Sequence, residues 1–203
     1  LQAQINPHFI YNTLGAISTY ALMSEDDSIT EMTGALSRML RYAVQDPLEL
    51  VRLRDEVEHV RSYLVIQGYR LRRMPAIRWD IDGFMDCRLP RLTLQPLVEN
   101  AFQHAFPEGI RMGHSIAVQA AGDGKSLSIR VSDNGCGIGA LKEGEWCRPG
   151  DGKVALGIGL MNVHKRLQIA FGAAYGLRIG REPGGGTTVQ VLLPVGGTRL
   201  LMQ

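Results

Sequence analysis

Apolar residues recur at helical spacing through the first third of the chain, then give way to strict alternation. Ile10, Leu14, Ile17 and Ala21 share one face and predict a helix from Phe9 to Leu22, with Pro7 at its entry. Ile29, Met32, Leu36, Met39, Leu40 and Ala43 predict a second helix that stops before Asp46-Pro47. The polar run Ser24-Glu25-Asp26-Asp27-Ser28 between them is a turn that holds an N-cap candidate. Two amphipathic helices joined by a short turn cannot bury their apolar stripes alone, so a dimeric four-helix bundle is the expected completion. Leu53, Val57, Val60, Leu64 and Leu71 predict a third helix.

The period then changes. Ile77 to Ile81, Ile116 to Val118 and Leu127 to Val131 alternate as strands, and Gly122-Asp123-Gly124 joins the last two as a hairpin. Leu97 to Ala105 predicts a helix with Pro96 in its first turn, and Gly159 to Phe171 another that ends at Gly172. Leu177 to Ile179 and Val189 to Leu193 complete the strands, with Gly184-Gly185-Gly186 as their turn. Segregated helices and hairpin-linked strands indicate an α+β fold: a helical hairpin, then a sandwich whose mixed sheet is covered by helices on one face. The division falls near Asp46-Pro47-Leu48, giving a hairpin over 1–49 and a sandwich over 50–203. Residues 139–156 show no period and are expected to form a lid-like loop.

Composition narrows the function classes. A chain of 203 residues, 45% hydrophobic and 21% charged, can bury a genuine core. A net charge of +2 points away from nucleic acid. Cys87, Cys136 and Cys147 are odd in number and form no Cys-x-x-Cys pair, which favours a reducing compartment over disulfides or structural zinc. No apolar run is long enough for a membrane span. Leu1-Gln2-Ala3-Gln4-Ile5 begins without Met and reads as mid-helix, so a fragment is expected, with a sensor or membrane region upstream and this part on the cytoplasmic face of the membrane.

Four motifs then appear in order. Glu99-Asn100 lies on a helix, where the Asn100 oxygen suits Mg²⁺, a hard cation, and Glu99 suits a general base. Asp133-Asn134-Gly135-Cys136-Gly137 follows a strand; its carboxylate can accept the exocyclic amine of adenine, and its glycines admit close backbone approach. Gly157-Ile158-Gly159-Leu160 opens a helix whose free N–H groups suit phosphate oxygens. Thr187 follows three glycines. Each alone is an ordinary turn or helix face. The ordered quartet is what carries information.

Together the motifs resemble the GHKL superfamily of gyrase, heat-shock chaperone ATPases, histidine kinases and MutL, over Leu53 to Pro194. The resemblance implies that Asn100 ligates Mg²⁺ and Asp133 reads the adenine of ATP. It also implies that Gly135 and Gly137 shape the base pocket, that Gly157 and Gly159 belong to the lid over the nucleotide, that Leu160 contacts the nucleotide, and that Thr187 supports the adenine site. Asn6-Pro7-His8-Phe9, with Asn12 one turn on, and the pattern Leu53-x-x-Glu56 to Tyr63 resemble the LytS/YehU-type sensor histidine kinases. That likeness implies that His8 is the phosphorylated residue, with a homodimer through the hairpin and a cognate response regulator as partners.

The chain departs from the wider pattern at two positions. Phe9 stands where many histidine kinases place an acid, leaving Glu99 as the base candidate. Gln103 stands where a lysine is usual, so phosphate neutralisation rests more on His104 and the metal. Asn12 is expected to position a water. The expected activity is ATP-dependent phosphorylation of His8 and transfer to an aspartate of the regulator; a GHKL-type ATPase and a degenerate nucleotide-binding scaffold are the alternatives.

Overall fold

The computed structural model describes residues 7–24, 26–182 and 184–195, with the backbone alone for 7–13 and 20. The described residues fall into two compact units, Leu1–Asp46 with Val57–Met74, and Pro47–Glu56 with Pro75–Gln203. The sequence division into 1–49 and 50–203 keeps the third helix whole, whereas the units divide it after Glu56.

In the first unit, α1 (Pro7–Met23) packs against α2 (Asp27–Ala43). The turn between them works as a cap: the Asp26 carboxylate accepts hydrogen bonds from the N–H groups of Ser28 at 3.1 Å and Ile29 at 3.2 Å. The Ser28 hydroxyl and these amides hold the Asp26 carboxyl below its ordinary pKa. Leu14, Ala21 and Ala35 are buried, while Ile17, Leu22, Met23, Ile29, Met32, Leu36 and Val44 stay exposed. The helix α3 (Leu53–Arg70) contributes its later turns here. Ser62 accepts from Arg38 Nε at 3.2 Å, and the His59 ring stacks on Tyr42 at 4.4 Å.

The second unit is a six-stranded mixed sheet. Its members are β2 (Ala76–Asp80), β4 (Ser115–Gly122), β5 (Ser126–Asp133), β6 (Trp146–Cys147), β7 (Gly176–Arg181) and β8 (Thr187–Pro194), in the order β2-β4-β5-β8-β7-β6. Only the β2–β4 pair is parallel. Alternation sets the two faces: Leu127, Ile129 and Val131 of β5 are buried, and Arg130 between them is exposed. The buried face receives α4 (Leu94–His104) through Leu94, Leu97, Val98 and Ala101, and α5 (Ile158–Phe171) through Leu160, Val163, Leu167 and Phe171. Each of these leucine, valine and phenylalanine side chains contributes about 1.5–3 kcal/mol by leaving water.

Three short strands have no counterpart in the sequence reading. β1 (Leu50–Arg52) pairs with β3 (Arg88–Pro90), and β6 lies inside the stretch 139–156 that shows no period. Pairing, not pattern, makes β6. Gly144 N–H donates to the Arg181 carbonyl at 2.8 Å, Arg181 N–H returns a bond to Glu145, and the Trp146 ring lies over Gly180, where a Cβ would come within 2.6 Å of it.

Candidate functional site

β5 delivers Asp133 to the edge of a cavity of about 220 Å³ between α4, α5 and the ends of β5, β7 and β8. Asp133 is buried, and its Oδ1 accepts two backbone hydrogen bonds, from Gly135 at 2.9 Å and from Thr187 at 3.2 Å. Among the described residues Oδ2 has no protein donor, so the carboxylate is held by one oxygen and offers the other. Burial pushes its pKa above the ordinary carboxylate value, and the two amides oppose that shift.

The glycine turn after Asp133 is laced to its surroundings. The Asn134 side chain accepts from Ser115 N–H at 2.7 Å and donates to the Gly113 carbonyl at 2.8 Å. Cys136 N–H donates to the Ala105 carbonyl at the end of α4, 2.9 Å away. A Cβ on Gly135 would collide with that same carbonyl, and Gly137 occupies the left-handed region at φ 69°. Sterics demand glycine at 135, and at 137 the left-handed backbone and a 3.0 Å approach to the Gly186 carbonyl favour it.

Asn100, His104, Asp133, Gly137, Gly157, Leu160 and Thr187 all line the cavity, so seven of the residues singled out from sequence come together there. Gly135 and Gly159 do not line it; Gly135 shapes the turn from behind. Glu99 does not line it either, and its Oε1 accepts from Gln95 Nε2 at 2.6 Å, one helical turn back. His8 and Asn12 belong to α1, but their side chains lie outside the described residues.

The apolar walls escaped sequence reasoning. Ala105, Ile138, Val154, Ala155, Leu156, Ile179 and Val189 complete the lining. Ile179 and Val189 sit on strands where alternation reads simply as core, and Val154-Ala155-Leu156 is too short to show a period.

An acceptor at the end of a strand, apolar walls and an uncapped helix N-terminus suit an amine-bearing base and an anionic tail. No side chain caps the N-terminus of α5, which begins after Gly157, and nothing in the described protein comes within 4 Å of a Cβ placed on Gly157. Among the described residues no three His, Cys, Asp or Glu side chains cluster to hold a metal. Mg²⁺ commonly takes one or two protein oxygens and completes its shell with phosphates and water, and Asn100, on the cavity wall, carries an oxygen of the kind that could serve.

The chain matches the family described as Histidine kinase over residues 1–74, and the family described as Histidine kinase-, DNA gyrase B-, and HSP90-like ATPase over residues 85–197. It is 38% identical over 196 residues to the sensor histidine kinase YesM of Bacillus subtilis (strain 168), covering 96% of this chain and 32% of that protein. It is 31% identical over 195 residues to the sensor histidine kinase BtsS of Escherichia coli (strain K12), with the same two coverages, 96% and 32%. The protein YwpD of Bacillus subtilis (strain 168) is 32% identical over 201 residues, covering 98% of this chain and 70% of YwpD. The chain thus spans about a third of the length of YesM and BtsS.

Proposed function

We propose a reaction from one premise: this chain belongs to the sensor histidine kinases of two-component systems, with an ATPase-type nucleotide-binding domain. The reaction is phosphoryl transfer from ATP to His8, then from His8 to an aspartate of a response regulator. The observation that carries it is the Asp133 carboxylate, anchored through Oδ1 by two backbone amides while Oδ2 is left for an amine in the cavity.

Each lining residue then has a task. Asp133 Oδ2 accepts from the adenine amine, and Ile138, Ile179 and Val189 enclose the base. The open N-terminus of α5 at Gly157, with Gly159 and Leu160 behind it, and the ring of His104 face the phosphates. Asn100 would hold Mg²⁺, which when bound neutralises phosphate charge. Gly135 and Gly137 keep the turn close, and Thr187 fixes Asp133 through its own N–H.

At His8 one imidazole nitrogen bonds to the γ-phosphorus while the bridging P–O bond to the β-phosphate breaks and ADP departs. Glu99, steadied by Gln95, takes the imidazole proton. In the second step an aspartate oxygen of the regulator bonds to phosphorus as the N–P bond breaks, and Asn12 positions the water that later dephosphorylates the regulator. Catalysis of this kind is mostly positioning and charge neutralisation. The exposed apolar side chains of α1 and α2, such as Leu22, Met32 and Leu36, support a homodimer through the hairpin. This reading assigns 1–49 to the phosphoacceptor hairpin and 50–203 to the nucleotide domain. Among the described residues no helix is long and apolar enough to cross a membrane; attachment at the cytoplasmic face would come from a region outside this chain.

Incubation with γ-labelled ATP tests the reading. A kinase gives an acid-labile, base-stable label that His8→Gln abolishes while nucleotide binding persists. Release of free phosphate without labelled protein points to an ATPase, and neither outcome points to a scaffold. Acid-labile label surviving in His8→Gln would refute the acceptor assignment.

A further inference from the structure

The start of α4, the helix that carries Asn100, is built on a carboxylate from elsewhere in the chain. Glu56, in the first turn of α3, is completely buried. Its Oε1 accepts from Leu92 N–H at 2.7 Å, and its Oε2 accepts from Thr93 N–H at 2.8 Å and Leu94 N–H at 2.7 Å. Thr93 occupies the N-cap position but does not cap; its hydroxyl donates to the Pro90 carbonyl at 2.6 Å. Glu56 does that work instead, placing negative charge at the positive end of the helix.

The other side of the same peptides is held from α5. Arg166 donates through Nη1 to the Arg91 carbonyl at 2.8 Å and through Nη2 to the Leu92 carbonyl at 2.6 Å. Leu92 between them has φ 57°, and among the described residues it is the one non-glycine with positive φ. A bulky side chain keeps that conformation only where its surroundings over-determine it. Here they do: Glu56 takes the Leu92 N–H and Arg166 takes its carbonyl. Two opposite charges, Glu56 fully buried and Arg166 half-buried, thus bracket one residue.

We propose that Glu56 and Arg166 are positioning residues of the nucleotide site, fixing where α4 starts and hence where Asn100 stands against the N-terminus of α5. Asn100 lies six residues beyond Leu94, about 9 Å along the helix axis, so a change in the bracket is carried rigidly to the cavity. Arg166 belongs to the same α5 whose first turn, Gly157 to Leu160, forms the opposite wall. One guanidinium therefore ties together the two helices whose separation the phosphates and metal would feel. Asp133 is reached from β5 and does not depend on this bracket.

This inference rests on the nucleotide reading above, and the test separates the two. In the full chain Glu56→Gln replaces one acceptor oxygen by an NH₂ group that, turned either way, faces a backbone N–H. Arg166→Lys keeps the charge but cannot reach two carbonyls with one planar fork. ADP affinity is measured by calorimetry with Mg²⁺ and with a chelator, at a temperature where circular dichroism shows the variant folded, alongside initial rates of label transfer. Each variant should lose about tenfold of the Mg²⁺-dependent affinity and lower kcat, with chelator affinity unchanged. Arg166→Lys decides the matter if Glu56→Gln does not fold. Wild-type Mg²⁺-dependent affinity and kcat in a folded variant would overturn the proposal. So would equal losses with and without metal, the mark of general loosening, or wild-type affinity indifferent to Mg²⁺. Wild-type protein that binds no nucleotide would instead sink the functional reading itself.

Discussion

Gly186 abuts Asp133 so closely that a Cβ on the glycine would overlap the aspartate's backbone carbonyl. Its φ of 86° is one that L side chains rarely adopt. The turn before β8 and the turn after β5 are thereby pressed together, which is what lets Thr187 N–H reach Asp133 Oδ1. Gly186→Ala should lower unfolding free energy by about 1–3 kcal/mol and weaken nucleotide binding with it. Gly184 has a similar φ of 85° with nothing within 4 Å, so Gly184→Ala should cost only the backbone strain, about 1–2 kcal/mol, and spare the site. Denaturant titration and ADP calorimetry of the two variants check the contrast; equal loss of binding in both would show that the contact with Asp133 does not matter.

Asp133→Asn keeps an oxygen for the Gly135 and Thr187 amides but turns an NH₂ toward the cavity, where an adenine amine would also donate. Nucleotide affinity should fall by about tenfold or more while the fold survives. The sign of the pH effect follows from burial. Because the Asp133 pKa is raised, the carboxylate takes up its proton at a higher pH than an ordinary aspartate. Affinity should therefore decline on acidification before exposed carboxylates titrate, and Asp133→Asn should lack that limb. Equilibrium dialysis of ADP across pH measures both effects.

The helices were legible because burying a stripe imposes a 3.6-residue period, and α1 to α5 each show one. The β4–β5 hairpin and the glycine turns were legible through alternation and turn chemistry. β1, β3 and β6 were not, since strands of two or three residues have no period and exist only through partners such as Leu50↔Pro90 and Cys147↔Ile179. At the site, polar residues in unusual company, Asn100, Asp133 and Thr187, stood out. The walls did not, because Ile179 and Val189 look like any inward strand residue. Glu56 stood in the pattern Leu53-x-x-Glu56, but its task was hidden. An acid in a first turn reads as complementing its own helix dipole, yet this one serves a helix that begins 38 residues later.

His164 links pH to stability. It is buried on α5, and its Nδ1 accepts from Leu177 N–H at 3.0 Å, a bond that requires the neutral ring. Gly176, at φ 131°, makes the room; a Cβ there would stand 2.6 Å from Nδ1. Burial and then the Arg148 charge lower the pKa below the ordinary 6.5. The unfolded chain binds the proton more readily than the folded one, so the stability contributed is complete above 6.5 and drains away as pH falls toward the folded value. The unfolding midpoint should drop as pH falls through 6.5 and below it. His164→Gln, which retains an acceptor but does not titrate, should show a shallower drop across that window. An identical slope in the variant would remove His164 from the account.

All of the chemistry assigned to this chain begins with an adenine nucleotide seated against Asp133. Titration of ADP with Mg²⁺ into the folded protein, followed by calorimetry, asks that question directly. The account predicts saturable heat with one site per chain. A flat titration of protein whose fold is verified in the same sample would contradict it.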